Sequence, residues 1–229
     1  MTDVSELLTT WQGPDGARPR LTWYGPAGER VELSGRVLAN WVIKAANLLG
    51  AEADAGPDTE VLIDLPPHWR ALVWSLGGWL TGAQVDHGQR LRAGRERPGE
   101  APTSTYDVVV TDLPEAAPQG EVLIAVALPA MAMAFTEELP AEAIDGAADL
   151  MTYPDELVLP PEPVDLDEVA GPTWTGPSRV LAPTTTAALV PQVLSIWRGG
   201  SSVVLVDDPD ADLAHLAKLE GAELIEEER

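Results

Sequence analysis

The sequence predicts an α/β fold, a mostly parallel sheet with flanking helices, formed as a single domain over residues 1–229. Three observations predict it. Short Val/Ile/Leu runs bounded by turn formers recur along the chain, as in strands covered on both faces. Segments with apolar residues at helical spacing separate those runs, which is the alternation of a parallel sheet. A hydrophobic content of 45% in 229 residues is enough to bury a full core.

The elements follow in order. Residues 20–24 and 30–33 alternate polar and apolar side chains around Gly25-Pro26-Ala27-Gly28, the pattern of a hairpin. Ser34 stands at a helix-cap position, and Val37, Leu38, Trp41, Ala45, Leu48 and Leu49 then recur on one helical side up to Gly50. Residues 61–65 form an apolar strand. After Pro66-Pro67 a helix carries Trp69, Leu72, Val73, Leu76 and Leu80. Residues 108–110 and 122–126 are further buried strands, and the whole apolar run 122–135 is expected inside. Residues 88–103, rich in Gly and Pro and holding Arg90, Arg92, Arg95 and Arg97, predict a mobile loop. A proline-rich acidic connection near 154–177 holds six prolines, enough to divide the chain into two lobes. The last block repeats the theme with strands at 179–181 and 203–206, a helix from Leu189 to Trp197 with Pro191 early in it, and a helix carrying Leu213, Leu216 and Leu219. Residues 221–229 form a short strand trailing into an acidic tail.

Composition excludes several chemistries. Without cysteine there are no disulfides, thiolate metal sites or cysteine nucleophiles, and three histidines leave little for a metal. Acids in the first six residues argue against an export signal, and no apolar run reaches membrane-spanning length, so a cytoplasmic protein is expected. Thirty-seven acids against 14 bases give a net charge of −23, which repels nucleic acid and anionic membranes. Between Arg97 and Arg179 there is no Lys or Arg at all. That stretch is read as a solvated acidic face.

Several phrases carry a family likeness. Arg30-Val-Glu-Leu-Ser34 with Asn40-Trp41, then residues 61–66 with His68-Trp69 and Gly77-Gly78, then Gly199-Gly-Ser-Ser-Val-Val-Leu205 resemble successive parts of AMP-binding, adenylate-forming enzymes of the acyl-CoA synthetase kind. The wording is closer still to a family of short actinobacterial proteins without an assigned activity, distantly similar to the N-terminal region of those enzymes. A low Lys content beside many Arg, Ala and Gly fits such a source. The resemblance implies the N-terminal subdomain fold of adenylate-forming enzymes. It also implies a phosphate loop, which these residues do not supply: Gly171-Pro-Thr-Trp-Thr-Gly176 has no lysine, and Pro172 and Pro177 lack amide donors. Thr184-Thr-Thr186 stands alone after Pro183. The regions that bind adenine and the acyl group in such enzymes, and their C-terminal lysine domain, are likewise not found in the sequence.

The residues offer few other sites. No dinucleotide glycine spacing and no Gly-x-Ser-x-Gly elbow occurs. Asp207-Asp-Pro-Asp210-Ala-Asp212 lacks the glycine and glutamate of a calcium loop and reads as an acidic helix start. Asp86-His87 is an adjacent acid–base pair, expected on the polar surface. His68 and Trp69 are the candidate ligand pocket, because they lie between a strand end and a helix start, where open α/β sheets bind ligands. The competing reading packs Trp69 in the core. The expected function is a noncatalytic binding or scaffold protein with no cofactor. The alternatives are one component of a split acyl-activating enzyme whose partner binds ATP, or a small-molecule binder. Expected partners are another protein or a second copy of the chain, with no nucleic acid and no membrane.

Overall fold

The structure is a computed structural model that describes residues 3–88, 105–130, 132–183 and 185–224. The stretch read as a mobile loop, apart from Gly88, and the acidic tail from residue 225 lie outside the described residues.

Among the described residues the strands form two five-stranded sheets. The first, all parallel, joins β3 (Glu60–Asp64), β4 (Gln84–His87), β5 (Tyr106–Thr111), β6 (Gly120–Ala125) and β7 (Ile144–Asp145) in the order β4-β3-β5-β6-β7. The second joins β1 (Pro19–Tyr24), β2 (Arg30–Ser34), β8 (Arg179–Leu181), β9 (Val203–Val206) and β10 (Glu223–Leu224) in the order β10-β8-β9-β1-β2. Among the described residues only the β1–β2 hairpin is antiparallel. The mixed α/β character and parallel pairing expected from the sequence are present.

The helices are α1 (Val4–Gln12), α2 (Gly35–Ala53), α3 (Trp69–Leu80), α4 (Thr186–Arg198) and α5 (Leu213–Glu220). Ser34 caps α2, its hydroxyl accepting from the Val37 amide at 3.3 Å. The helix runs through Gly50 to Ala53 instead of ending there, and Asp54 closes it at a φ of 45°. Every residue of α3 is buried, which fits a helix that is apolar nearly all round and lies against neighbours on all sides. Its Gly77 lets α2 approach closely, since a Cβ there would lie 2.8 Å from the Ala45 Cβ. Helices α1 to α4 and one face of each sheet form a common core that includes Trp11, Trp23, Trp74 and Trp197. The outer face of the second sheet packs Val180, Val204 and Val206 against Ala217 of α5.

Two further expectations are corrected, and a third, on the acidic run near Asp212, holds. The apolar run 122–135 is interior only through Ala127. Strand β6 stops at Ala125, Pro129 has no amide to continue a ladder, and Met133 is 62% exposed. Pro191 sits in the second turn of α4, because the helix starts at Thr186 with Thr185 as its cap. The acidic run near Asp212 does start a helix: its carboxylate accepts from the His215 amide at 2.9 Å. No helix among the described residues is long and apolar enough to cross a membrane.

Candidate functional site

The strand-end residues are packed, not open. His68 is the N-cap of α3, and its Nδ1 accepts from the Arg70 amide at 3.1 Å. Trp23 meets its ring edge-on at 4.6 Å, and the imidazole is 1% exposed. Burial, helped by the charge of Arg70, holds its pKa well below the ordinary value, against an opposing backbone contact from Leu128. It is therefore neutral at pH 7. Trp69, 2% exposed, lies edge-on to Trp41 at 5.2 Å. The Arg70 guanidinium sits 4.6 Å from the Trp69 ring and 5.1 Å from the Trp41 ring, and donates to the Ala132 carbonyl at 3.3 Å. Burial lowers its pKa to about 10, so it remains a cation held by aromatic faces.

The acid–base pair separates in the same way. Asp86 spends one oxygen on the His87 backbone amide at 2.8 Å and the other on the Tyr106 hydroxyl at 3.0 Å, and neither bond reaches the imidazole. His87 Nε2 instead lies 2.9 Å from the Ser75 hydroxyl, which donates to the Ala71 carbonyl at 2.8 Å from inside α3. Ser75 is 1% exposed. Its proton is held by its own helix, and the side chain is closed to solvent. Thr186, from the threonine run, is buried and donates to the Leu65 carbonyl at 2.7 Å, tying α4 to the end of β3. Thr184 lies outside the described residues. The Gly171–Gly176 turn is also structural: the Trp174 indole donates to the Pro177 carbonyl at 2.9 Å and carries the Arg179 guanidinium 4.0 Å above its ring.

A wider opening lies elsewhere, where the proline-rich connection crosses α2 and α3. A cavity of about 610 Å³ opens between Ala46, Gly50, Ala55 and Leu80 on the helix side and Leu157 and Leu159 on the connection. Asn47 builds it. Its amide donates to the carbonyls of Pro154 at 3.2 Å and Glu156 at 2.8 Å, and its oxygen accepts from the Val158 amide at 3.0 Å. One side chain thus satisfies three backbone groups of a segment that prolines keep out of regular structure. Lys44 donates to the Tyr153 carbonyl and pairs with Asp155 at 2.9 Å, while the Tyr153 hydroxyl donates to Glu52 at 2.6 Å. The Glu162 amide donates to the Leu80 carbonyl at 3.2 Å and fastens the far end. Residues 153–162 are a strap laid over an apolar chamber. Neither His68 nor Trp69 lines it.

This site carried a sequence signal that residue-by-residue motif reading passes over. Asn47 is polar in the middle of the buried side of α2, at a place where its neighbours Ala46, Leu48 and Leu49 are all buried apolar residues. A buried amide needs partners, and an extended proline-rich segment has backbone groups to spare.

Comparison with known proteins bears on the architecture. No protein-family model matches the chain. It is similar to an acyl-CoA synthetase of Brucella canis with a TM-score of 0.73 and 17% identity, over 97% of this chain and 47% of that one. The fold is that of an acyl-CoA synthetase, over about half its length. The acetoacetyl-CoA synthetase of Streptomyces lividans matches with a TM-score of 0.67 and 18% identity, covering 96% of this chain and 41% of that one. An amide bond synthetase of Marinactinospora thermotolerans matches with a TM-score of 0.62, 18% identity and coverage of 96% and 48%. In sequence, the chain is 43% identical to a TIGR03089 family protein of Mycobacterium tuberculosis over 72 residues, 31% of this chain and 30% of that one. The synthetase-like fold and the actinobacterial likeness read from the sequence both find their counterparts here.

Proposed function

We propose that this synthetase-like chain is a noncatalytic binding protein and that its ligand is an apolar small molecule held under the strap. The observation that carries the proposal is the 610 Å³ chamber whose outer wall Asn47 fixes with three hydrogen bonds. Its volume lies in the range of roughly 300–1,000 Å³ used by small-molecule sites. The walls are aliphatic, and the hydrogen-bonding capacity of Asn47 goes to the strap, so affinity comes from apolar area removed from water. Burial supports the noncatalytic half of the reading: His68, Ser75 and His87, the groups best suited to proton or acyl transfer, are committed to packing and to internal hydrogen bonds. The same reading keeps the protein in the cytoplasm, with a net charge of −23 that favours neither nucleic acid nor anionic membrane as a partner.

Thermal unfolding with saturated C6–C12 carboxylic acids and their alcohols, and separately with Mg-ATP, AMP, coenzyme A and acyl-adenylates, tests the proposal. A ligand at about 100 times its dissociation constant adds roughly 2.7 kcal/mol. The midpoint should rise for the apolar series, and the rise should vanish in Gly50→Trp, which fills the chamber from α2. Asn47→Ala should weaken binding at least tenfold. A rise with Mg-ATP or an acyl-adenylate that survives Gly50→Trp would reveal a separate nucleotide site and overturn the noncatalytic reading. No rise with any apolar compound would remove the chamber as a ligand site.

A further inference from the structure

A second cavity, of about 370 Å³, lies where β1, β8 and β9 begin on the outer face of the second sheet. The Gly199-Gly-Ser-Ser turn, whose wording drew notice in the sequence, forms part of its wall. Arg20 lines it from β1. The residue is 7% exposed, one guanidinium nitrogen donates to the Gly200 carbonyl, and Nε has no partner among the described residues. Arg18 stands beside it, in a solvent-exposed pair with Asp15 at 3.6 Å that contributes little. Burial first, and then the charge of Arg18, lower the Arg20 pKa against the opposing charge of Asp15, so two cations and one exposed carboxylate lie within electrostatic reach of one another.

The rest of the wall suits an anion. Ser178 and Ser202 share a hydrogen bond of 2.5 Å in which one hydroxyl donates, so the other keeps its proton for a ligand. The carboxylates that border the cavity are already engaged: Glu32 pairs with Arg30 at 2.9 Å, and Glu220 pairs with Arg30 at 3.2 Å and accepts from the Tyr24 hydroxyl. A buried Arg20 and an Arg18 held only by a long, exposed pair with Asp15, beside a spare hydroxyl, run against the sign of a chain that carries −23. We propose that this cavity is an oxyanion site that takes phosphate, either as the free ion or as the phosphomonoester of a small hydroxylated molecule. Charged donors in a fixed fork are what such oxygens require.

The site is independent of the strap chamber. Its test is ³¹P NMR titration of inorganic phosphate and, separately, of ribose 5-phosphate, at low ionic strength and with chloride matched. Saturable broadening is expected for the wild type and for Gly50→Trp. In Arg18→Gln/Ser202→Ala, whose fold is checked by circular dichroism, the dissociation constant should rise at least tenfold. Broadening by the ester assigns a phosphomonoester, and broadening by inorganic phosphate alone assigns the free ion. No broadening with either, or broadening unchanged in the double variant, overturns the site.

Discussion

At the scale of single residues, the informative side chains are polar ones in apolar surroundings. His87 is an example with a measurable consequence. Burial lowers its pKa from 6.5 to about 4, with Asp86 opposing. The folded value lies below the unfolded one, so the unfolded chain takes the proton first as pH falls. The stability that depends on a neutral imidazole is complete above about pH 6.5 and is lost progressively toward pH 4, on the order of 3 kcal/mol in all. His68 adds a loss of the same sign. Urea unfolding between pH 7 and pH 4.5 should therefore show stability falling in the wild type and falling less steeply in His87→Gln, and parallel slopes would count against the assignment. The sequence names both histidines but not their environments. Only the fold turns an adjacent Asp86-His87 into a capped backbone amide and a Ser75 contact, because the imidazole's neighbour in space comes from a helix twelve residues earlier.

At the scale of elements, periodicity was a good guide where one face meets the core and a poor one elsewhere. The hairpin, α2, β3, β5, β6, β8, β9 and α5 lie where Val/Ile runs and helical spacing place them. Helix α1 is an element beyond those the sequence predicts, although Val4, Leu7, Leu8 and Trp11 follow helical spacing and are all buried. Strand β4, reading Gln-Val-Asp-His, carries too few apolar residues to announce an edge strand. The strap chamber is legible only as a polar Asn47 among apolar neighbours, because placing its partners needs the register of Asn47 against a segment more than a hundred residues later. Two glycines give opposite tests of how α2 and α3 are built. Gly50→Ala should stabilise by about 1 kcal/mol, because the helix gains propensity and the new Cβ meets the Leu159 methyl at an ordinary 3.6 Å. Gly77→Ala should destabilise by roughly 1–3 kcal/mol, because its Cβ would press on the Ala45 Cβ at 2.8 Å and the Ala46 backbone at 3.1 Å, neither of which can swing aside. Denaturant midpoints of the two variants decide both signs.

At the scale of the whole molecule, net charge governs behaviour. With −23 spread over 229 residues, self-repulsion opposes the compact state, and added salt screens it. Raising sodium chloride from about 0.05 to 0.5 M should raise the thermal midpoint by several degrees, and a flat response would mean that the acids are locally compensated. The composition made this plain from the start, and it also indicated a well-filled core. It did not indicate that the strands would divide into two sheets, because that depends on which distant strands pair. Strand β1, complete by Tyr24, finds its parallel neighbour only in Val203–Val206. On a ribosome adding roughly 5–20 residues per second, the first hairpin therefore waits many seconds with one edge unsatisfied, while β3 to β7 and their helices are already in hand. The first-made strand is among the last to be completed, and until then a growing chain offers the open backbone edge of β1 to whatever chaperone or neighbouring nascent chain reaches it first.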